Sequence, residues 1–123
     1  MQLSKAEKTR FGKEPLPHDV PIEKAVARWL SNLPHLRRCR LPNAADAFDL
    51  TEFGLRTRLS RRDHSYQDLL DIERMKRLDK LLEELPEANG TQAAKVTGFS
   101  NGDVFRTWYK RQHGVTWKRR GEV

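Results

Sequence analysis

The chain has 123 residues, 37% of them hydrophobic and 33% charged, with a formal net charge of +7 and a pI near 9.9. That length holds one compact unit or two very small ones, and the charge favours a polyanionic partner such as DNA, RNA or an acidic surface. No apolar run approaches the roughly 18 residues of a membrane-spanning helix, and the lone cysteine, Cys39, excludes an internal disulfide and a thiolate zinc cluster.

Residues 1–20 are polar, contain Pro15 and Pro17 and show no periodic stripe, so they read as a flexible N-terminal arm. The first five residues lack the apolar segment of a secretion signal, and the expected compartment is the cytoplasm. From Pro21, a first-turn residue, apolar side chains at Ile22, Val26, Trp29, Leu30 and Leu33 share one helical face. Pro34 ends that helix, and a basic connector with Arg37, Arg38 and Arg40 follows. Pro42 to Phe48 reads as a short helix with Leu41, Ala44, Ala45 and Phe48 inward. Thr51 is an N-cap for the next helix, where Leu55 and Leu59 point inward.

Ser65-Tyr66-Gln67-Asp68 has capping-box form and opens a long helix reaching about Leu85, stopped by Pro86 and an Asn89-Gly90 turn. Its apolar direction changes along its length. Tyr66, Leu69 and Leu70 define one face, while Leu78, Leu81, Leu82 and Leu85 define another rotated by roughly 130°. A helix that buries two faces at its two ends suits a connector shared by two small bundles. Twenty residues at about 1.5 Å each span about 30 Å, close to the roughly 34 Å between successive major grooves on one side of a duplex. Thr91 to Thr97 follows as a short helix with Ala93, Ala94 and Val96, then a turn at Gly98. Ser100-Asn101-Gly102-Asp103 reads as a second capping box, and the last helix runs to His113. The expected fold is all-α, with about seven helices.

Charge follows this order. Residues 65–90 carry seven acids and four bases, a balance of −3, whereas residues 100–120 carry six bases and one acid, a balance of +5. Five bases and no acid lie in residues 24–40. Basic segments therefore flank an acidic middle.

The closing helix and the helix before the connector resemble each other: Leu55-Arg56-Thr57-Arg58-Leu59 answers Phe105-Arg106-Thr107-Trp108-Tyr109, each position offset by 50 (105 against 55). In a helix-turn-helix, a short helix and a tight turn hold a second helix in the major groove, where its outward side chains meet base edges. With Phe105 and Tyr109 buried and Trp108 and Val104 flanking, Asp103, Arg106, Thr107 and Lys110 face outward, Arg111 lies at the margin and Asn101 at the helix start. With Leu55 and Leu59 buried, Phe53, Thr57, Ser60 and Arg61 face outward and Arg56 lies on the flank. Arginine bonds guanine bidentately and Thr or Phe touches a thymine methyl. Lys110, Arg111 and Arg61 are better suited to phosphates, which position a protein without specifying sequence.

On these motifs the chain resembles the DNA-binding domain of the AraC/XylS family of bacterial transcription regulators. Gly98-Phe99-Ser100, Phe105 to Arg111 and Gly114-Val115 match the second-half signature, and Ser65-Tyr66-Gln67-Asp68-Leu69-Leu70 matches the connector. The likeness covers about Ile22 to Thr116. It implies two helix-turn-helix subdomains (residues 21–64 and 87–123) joined by a connecting helix (65–86), with two recognition helices in adjacent major grooves of double-stranded DNA. It further implies a role in transcription, often through contact with RNA polymerase, while two unequal halves that already supply two groove contacts suggest a monomer on the DNA, associated with the nucleoid. With no room for an effector domain in these 123 residues, the chain is expected to resemble the short stand-alone members of the family, or a detached DNA-binding half. It departs from the family pattern at Thr57 and Thr107, which replace the usual arginine, and at Gly54. Gly90 takes the place of an aliphatic residue, and the usual Pro and aromatic after Gly-Val are replaced by Trp117-Lys118-Arg119-Arg120.

Trp29, Trp108 and Tyr109 lie on apolar stripes and read as core, whereas Phe53 suits either a thymine methyl or the cover of a neighbouring helix. Cys39 reads as inert. His18, His35, His64 and His113 show no metal spacing, and no nucleophile constellation or phosphate loop supports catalysis, so neither an enzyme nor a cofactor is expected. Two alternatives use the same fold: an interaction protein acting on RNA polymerase or another regulator, and a DNA-architectural accessory factor of a mobile element.

Overall fold

A computed structural model describes residues 20–37 and 39–117. The expected arm up to residue 19, Arg38 and the basic tail from Lys118 lie outside the described residues. Among the described residues there are six helices and no strand: α1 (Ile22–Ser31), α2 (Leu41–Ala47), α3 (Glu52–Ser60), α4 (Tyr66–Glu84), α5 (Gly90–Thr97) and α6 (Gly102–His113). The fold is all-α, as expected. The described residues form two compact units, residues 20–33 with 39–71 and residues 34–37 with 72–117.

In the first unit, α1 buries Ala25, Val26, Trp29 and Leu30. Pro21 is the N-cap rather than the first helical residue, and its carbonyl accepts the N–H groups of Lys24 and Ala25 at 3.0 Å. The helix closes at Ser31, ahead of Pro34. Trp29 meets Phe48 edge to face at 6.1 Å, over a core completed by Ala44, Leu55, Leu59, Leu69 and Leu70. The Tyr66 hydroxyl donates to the Cys39 carbonyl at 3.0 Å and lies 3.1 Å from Cys39 Sγ, so the one buried phenol of this unit is satisfied.

Glu23, in the first turn of α1, receives two hydrogen bonds from Arg62, Nε at 3.0 Å and Nη2 at 3.1 Å, with His64 Nε2 3.9 Å away. The Arg62 guanidinium holds the Glu23 carboxyl below the usual carboxylate range. A lowered folded-state value means that the contribution is complete above the unfolded value of about 4.3 and disappears as pH falls through the folded one. Acid titration of thermal stability should therefore show Glu23→Gln losing stability at neutral pH and converging on the parent as pH drops below that window.

The second unit is built on aromatic rings. Phe105 and Trp108 are fully buried, and Phe105 lies 5.9 Å from Trp108, 5.9 Å from Tyr109 and 5.0 Å from Trp117. Leu78, Ala93 and Ala94 complete this cluster, with Met75, Leu81, Leu82 and Phe99 packed against it. Several inward positions differ from expectation. Trp108, not Tyr109, is the deep partner of Phe105, and Val104 is 43% exposed. Thr97 replaces Val96 on the inner side of α5, because its hydroxyl is neutralised by donating to the Ala93 carbonyl at 2.7 Å. Leu85 lies past the end of α4 and is exposed. The expected Asn89-Gly90 turn is instead a helix start: Asn89 Oδ1 accepts from Gln92 N at 2.8 Å, and Gln92 Oε1 accepts from Asn89 N at 2.9 Å.

Candidate nucleic-acid interface

Each unit holds its second helix by the same device. After α2, Asp49 adopts φ 60° and the Leu50 N–H closes onto the Ala45 carbonyl at 2.8 Å. After α5, Gly98 adopts φ 88° and the Phe99 N–H closes onto the Ala94 carbonyl at 2.9 Å. Both are six-residue returns that place an apolar side chain just past a left-handed residue. Glycine advertised the second turn. Asp49 did not advertise the first, since aspartate enters this region by local side-chain bonding and not by lacking a Cβ.

The helices then start in register. Thr51 Oγ1 accepts from Gly54 N at 2.9 Å, as expected, and Asn101 Oδ1 accepts from Val104 N at 2.9 Å. The α6 cap is thus Asn101 and not Ser100. The repeat offset is 49 at the closing bond (Ala94 against Ala45) and 50 at the cap (Asn101 against Thr51), so the second turn is one residue longer.

From these caps the two stripes project. On α3, Phe53 is 72% exposed and so does not cover a neighbouring helix. Arg56 and Ser60 are exposed, Thr57 is half-buried, and Arg61 is exposed one residue past the helix end. On α6, Asp103, Thr107, Lys110 and Arg111 are exposed, and the Thr107 hydroxyl donates to the Asp103 carbonyl at 3.1 Å. Phe53, Arg56, Thr57 and Ser60 correspond to Asp103, Arg106, Thr107 and Lys110 at the same spacing of three, four and seven, one outward face per helix.

Arg106 is where the arrangement departs from a freely projecting arginine. Its Nη1 donates to Asp103 Oδ1 at 2.9 Å, and its guanidinium lies across Gly90, the first residue of α5. A Cβ at Gly90 would stand 2.6 Å from Nη2, 3.0 Å from Cζ and 3.2 Å from Nε. Arginine therefore fills the room that an aliphatic residue at position 90 would occupy. A second arginine braces the turn: Arg74 Nε donates to the Thr97 carbonyl at 3.0 Å, with Cζ 4.3 Å from the Phe99 ring centroid. Sequence reasoning had no signal for Arg74, which sits on the polar side of α4 by periodicity. It also passed over Arg58, an exposed base on the flank of α3.

Among the described residues no group of three or more His, Cys, Asp or Glu could hold a metal ion, and no helix is long and apolar enough to cross a membrane. The chain matches no protein-family model and no curated protein. In fold it is similar to the crystal structure of transcriptional regulator CdpR from Pseudomonas aeruginosa, with a TM-score of 0.68 and 24% identity. That likeness covers 77% of this chain and 30% of the CdpR chain, so the present chain spans about a third of that regulator's length. At this identity the likeness is one of fold.

Proposed function

We propose that this chain is a sequence-specific double-stranded DNA-binding transcription regulator of AraC/XylS type, with α3 and α6 entering successive major grooves. The observation that carries this reading is the repeated outward stripe, set by N-caps 50 residues apart on two turns of the same construction. The net charge of +7 supports it, and so does the likeness in fold to a transcriptional regulator. Residues 21–64 and 87–123 are the two helix-turn-helix subdomains and residues 65–86 their connector. Phe53, Arg56 and Thr57 meet base edges in one groove, and Asn101, Asp103 and Thr107 form the corresponding set in the other, with Arg106 held beside Asp103. Arg61, Lys110 and Arg111 neutralise phosphates, and Ser60 donates a hydrogen bond to one. The chain acts as a monomer on the nucleoid, since two unequal halves already supply two groove contacts, and RNA polymerase is its protein partner.

Selection of duplexes from a randomised double-stranded library tests this directly. The chain should enrich one asymmetric site, and Lys110→Ala should weaken all sequences alike and reduce the salt slope by about one unit. A chain that enriches no duplex even at low salt but captures RNA polymerase would overturn DNA reading in favour of a protein-interaction role.

A further inference from the structure

Asp103 and Arg106 together define what the α6 face can recognise. The Asp103 side chain is 95% exposed, at the outward N-terminal end of α6, where the helix dipole favours a negative charge. A carboxylate only accepts hydrogen bonds. In a major groove it fits an exocyclic amine and clashes with the N7 and O6 acceptors of guanine. Alone among phosphates it would also be repelled, and the Arg106 guanidinium 2.9 Å away offsets that charge.

Arg106 itself is poorly placed to read guanine. Bidentate reading needs two N–H groups directed together at N7 and O6. Here Nη1 is committed to Asp103, while Nη2, Cζ and Nε lie over the α5 backbone at Gly90. Gly102 likewise leaves room beside the guanidinium, a Cβ there falling 3.3 Å from Nη1 and 3.4 Å from Nη2. The seat exists because position 90 has no side chain. We infer that Asp103 is a specificity-determining residue that accepts a hydrogen bond from the N4 amine of a cytosine. Arg106 is then a positioning residue that aims and neutralises this carboxylate from its seat on Gly90. This rests on the DNA-reading function proposed above.

The experiment uses the full chain and the same randomised duplex library, with Asp103→Asn, Gly90→Ala and Arg106→Ala compared against the parent. The parent site should contain one position with cytosine preferred by roughly 5- to 150-fold. Asp103→Asn should lose that preference while the other positions hold. Gly90→Ala should lose or weaken the same preference with no change in charge, because its Cβ displaces the guanidinium. The obstructing atoms are the far end of a flexible side chain, so the helix itself accommodates alanine. Circular dichroism checks that this variant folds, and Asp103→Asn, on the surface, tests the idea independently of it. Arg106→Ala should weaken every sequence by exposing the unpaired carboxylate, and adding Asp103→Ala should restore general affinity without restoring the cytosine preference. An unchanged cytosine preference in both Asp103→Asn and Gly90→Ala overturns the inference alone, as does a guanine preference that vanishes with Arg106→Ala. Failure of the parent chain to enrich any duplex overturns DNA reading itself and this inference with it.

Discussion

Gly98→Ala should destabilise the protein by about 2–5 kcal/mol, made up of about 1–2 for a left-handed alanine and about 1–3 for overpacking. Gly98 has φ 88°, and a Cβ there would stand 2.6 Å from both the carbonyl carbon and the oxygen of Leu36 and 2.7 Å from its Cβ. Leu36 is fully buried, and its backbone cannot swing aside as a flexible side chain can. A thermal melt should fall on the order of 10–20 °C for a chain of this size. Because Gly98 closes α5 and sets the entry of α6, the proposed DNA binding should weaken in parallel with stability. Unchanged melting would mean that the turn opens to accept the methyl group, and the close approach to Leu36 would then not constrain it.

Trp108→Ala should cost about 3–5 kcal/mol, the range for emptying a buried aromatic site. The Trp108 ring is 1% exposed and lies 5.3 Å from Phe99 and 5.9 Å from Phe105. Phe99 is also held by Arg74, so the vacated volume is bounded by groups already tied in place and collapses poorly. The repeat supplies an internal control, because the position 50 residues earlier is Arg58, exposed on α3. Arg58→Ala should stay within about 0.5 kcal/mol. Equal losses at the two sites in denaturant titration would contradict the packing described for the second unit.

Much of the fold was legible because it rests on local chemistry. Thr51 caps α3 where a hydroxyl precedes an apolar stripe, Gly98 and Gly114 adopt positive φ where helices end, and His113 is the last residue of α6. The change of apolar direction along α4 is visible in the order of its leucines, and Tyr66, Leu69, Leu70 and Leu78 are buried accordingly. What was missed has two causes. Leu36 lies in a basic connector with no period of its own, and its burial comes from Gly98, more than 60 residues away. Asp63, like Asp49, turns the chain with φ 60°, although neither carries the usual signal of a glycine.

The candidate site divides in the same way. An offset of 50 and a helical period are enough to say which side chains leave α3 and α6 outward, because the direction of a Cβ along a helix depends only on position. Where a long side chain ends depends on its neighbours. Trp108 lies deeper than Tyr109 inside the second unit, Trp108 against Phe99 and Phe105 and Tyr109 against Phe105, His113 and Trp117. Arg106 leaves the outward stripe because Gly90 leaves a space and Asp103 a charge within its reach. Sequence alone determined an all-helical chain with two matched outward faces, since periodicity, caps and turns act over a few residues. Only tertiary packing decided how those faces are furnished, since the destination of a flexible, charged side chain is set by volume and charge contributed from other helices.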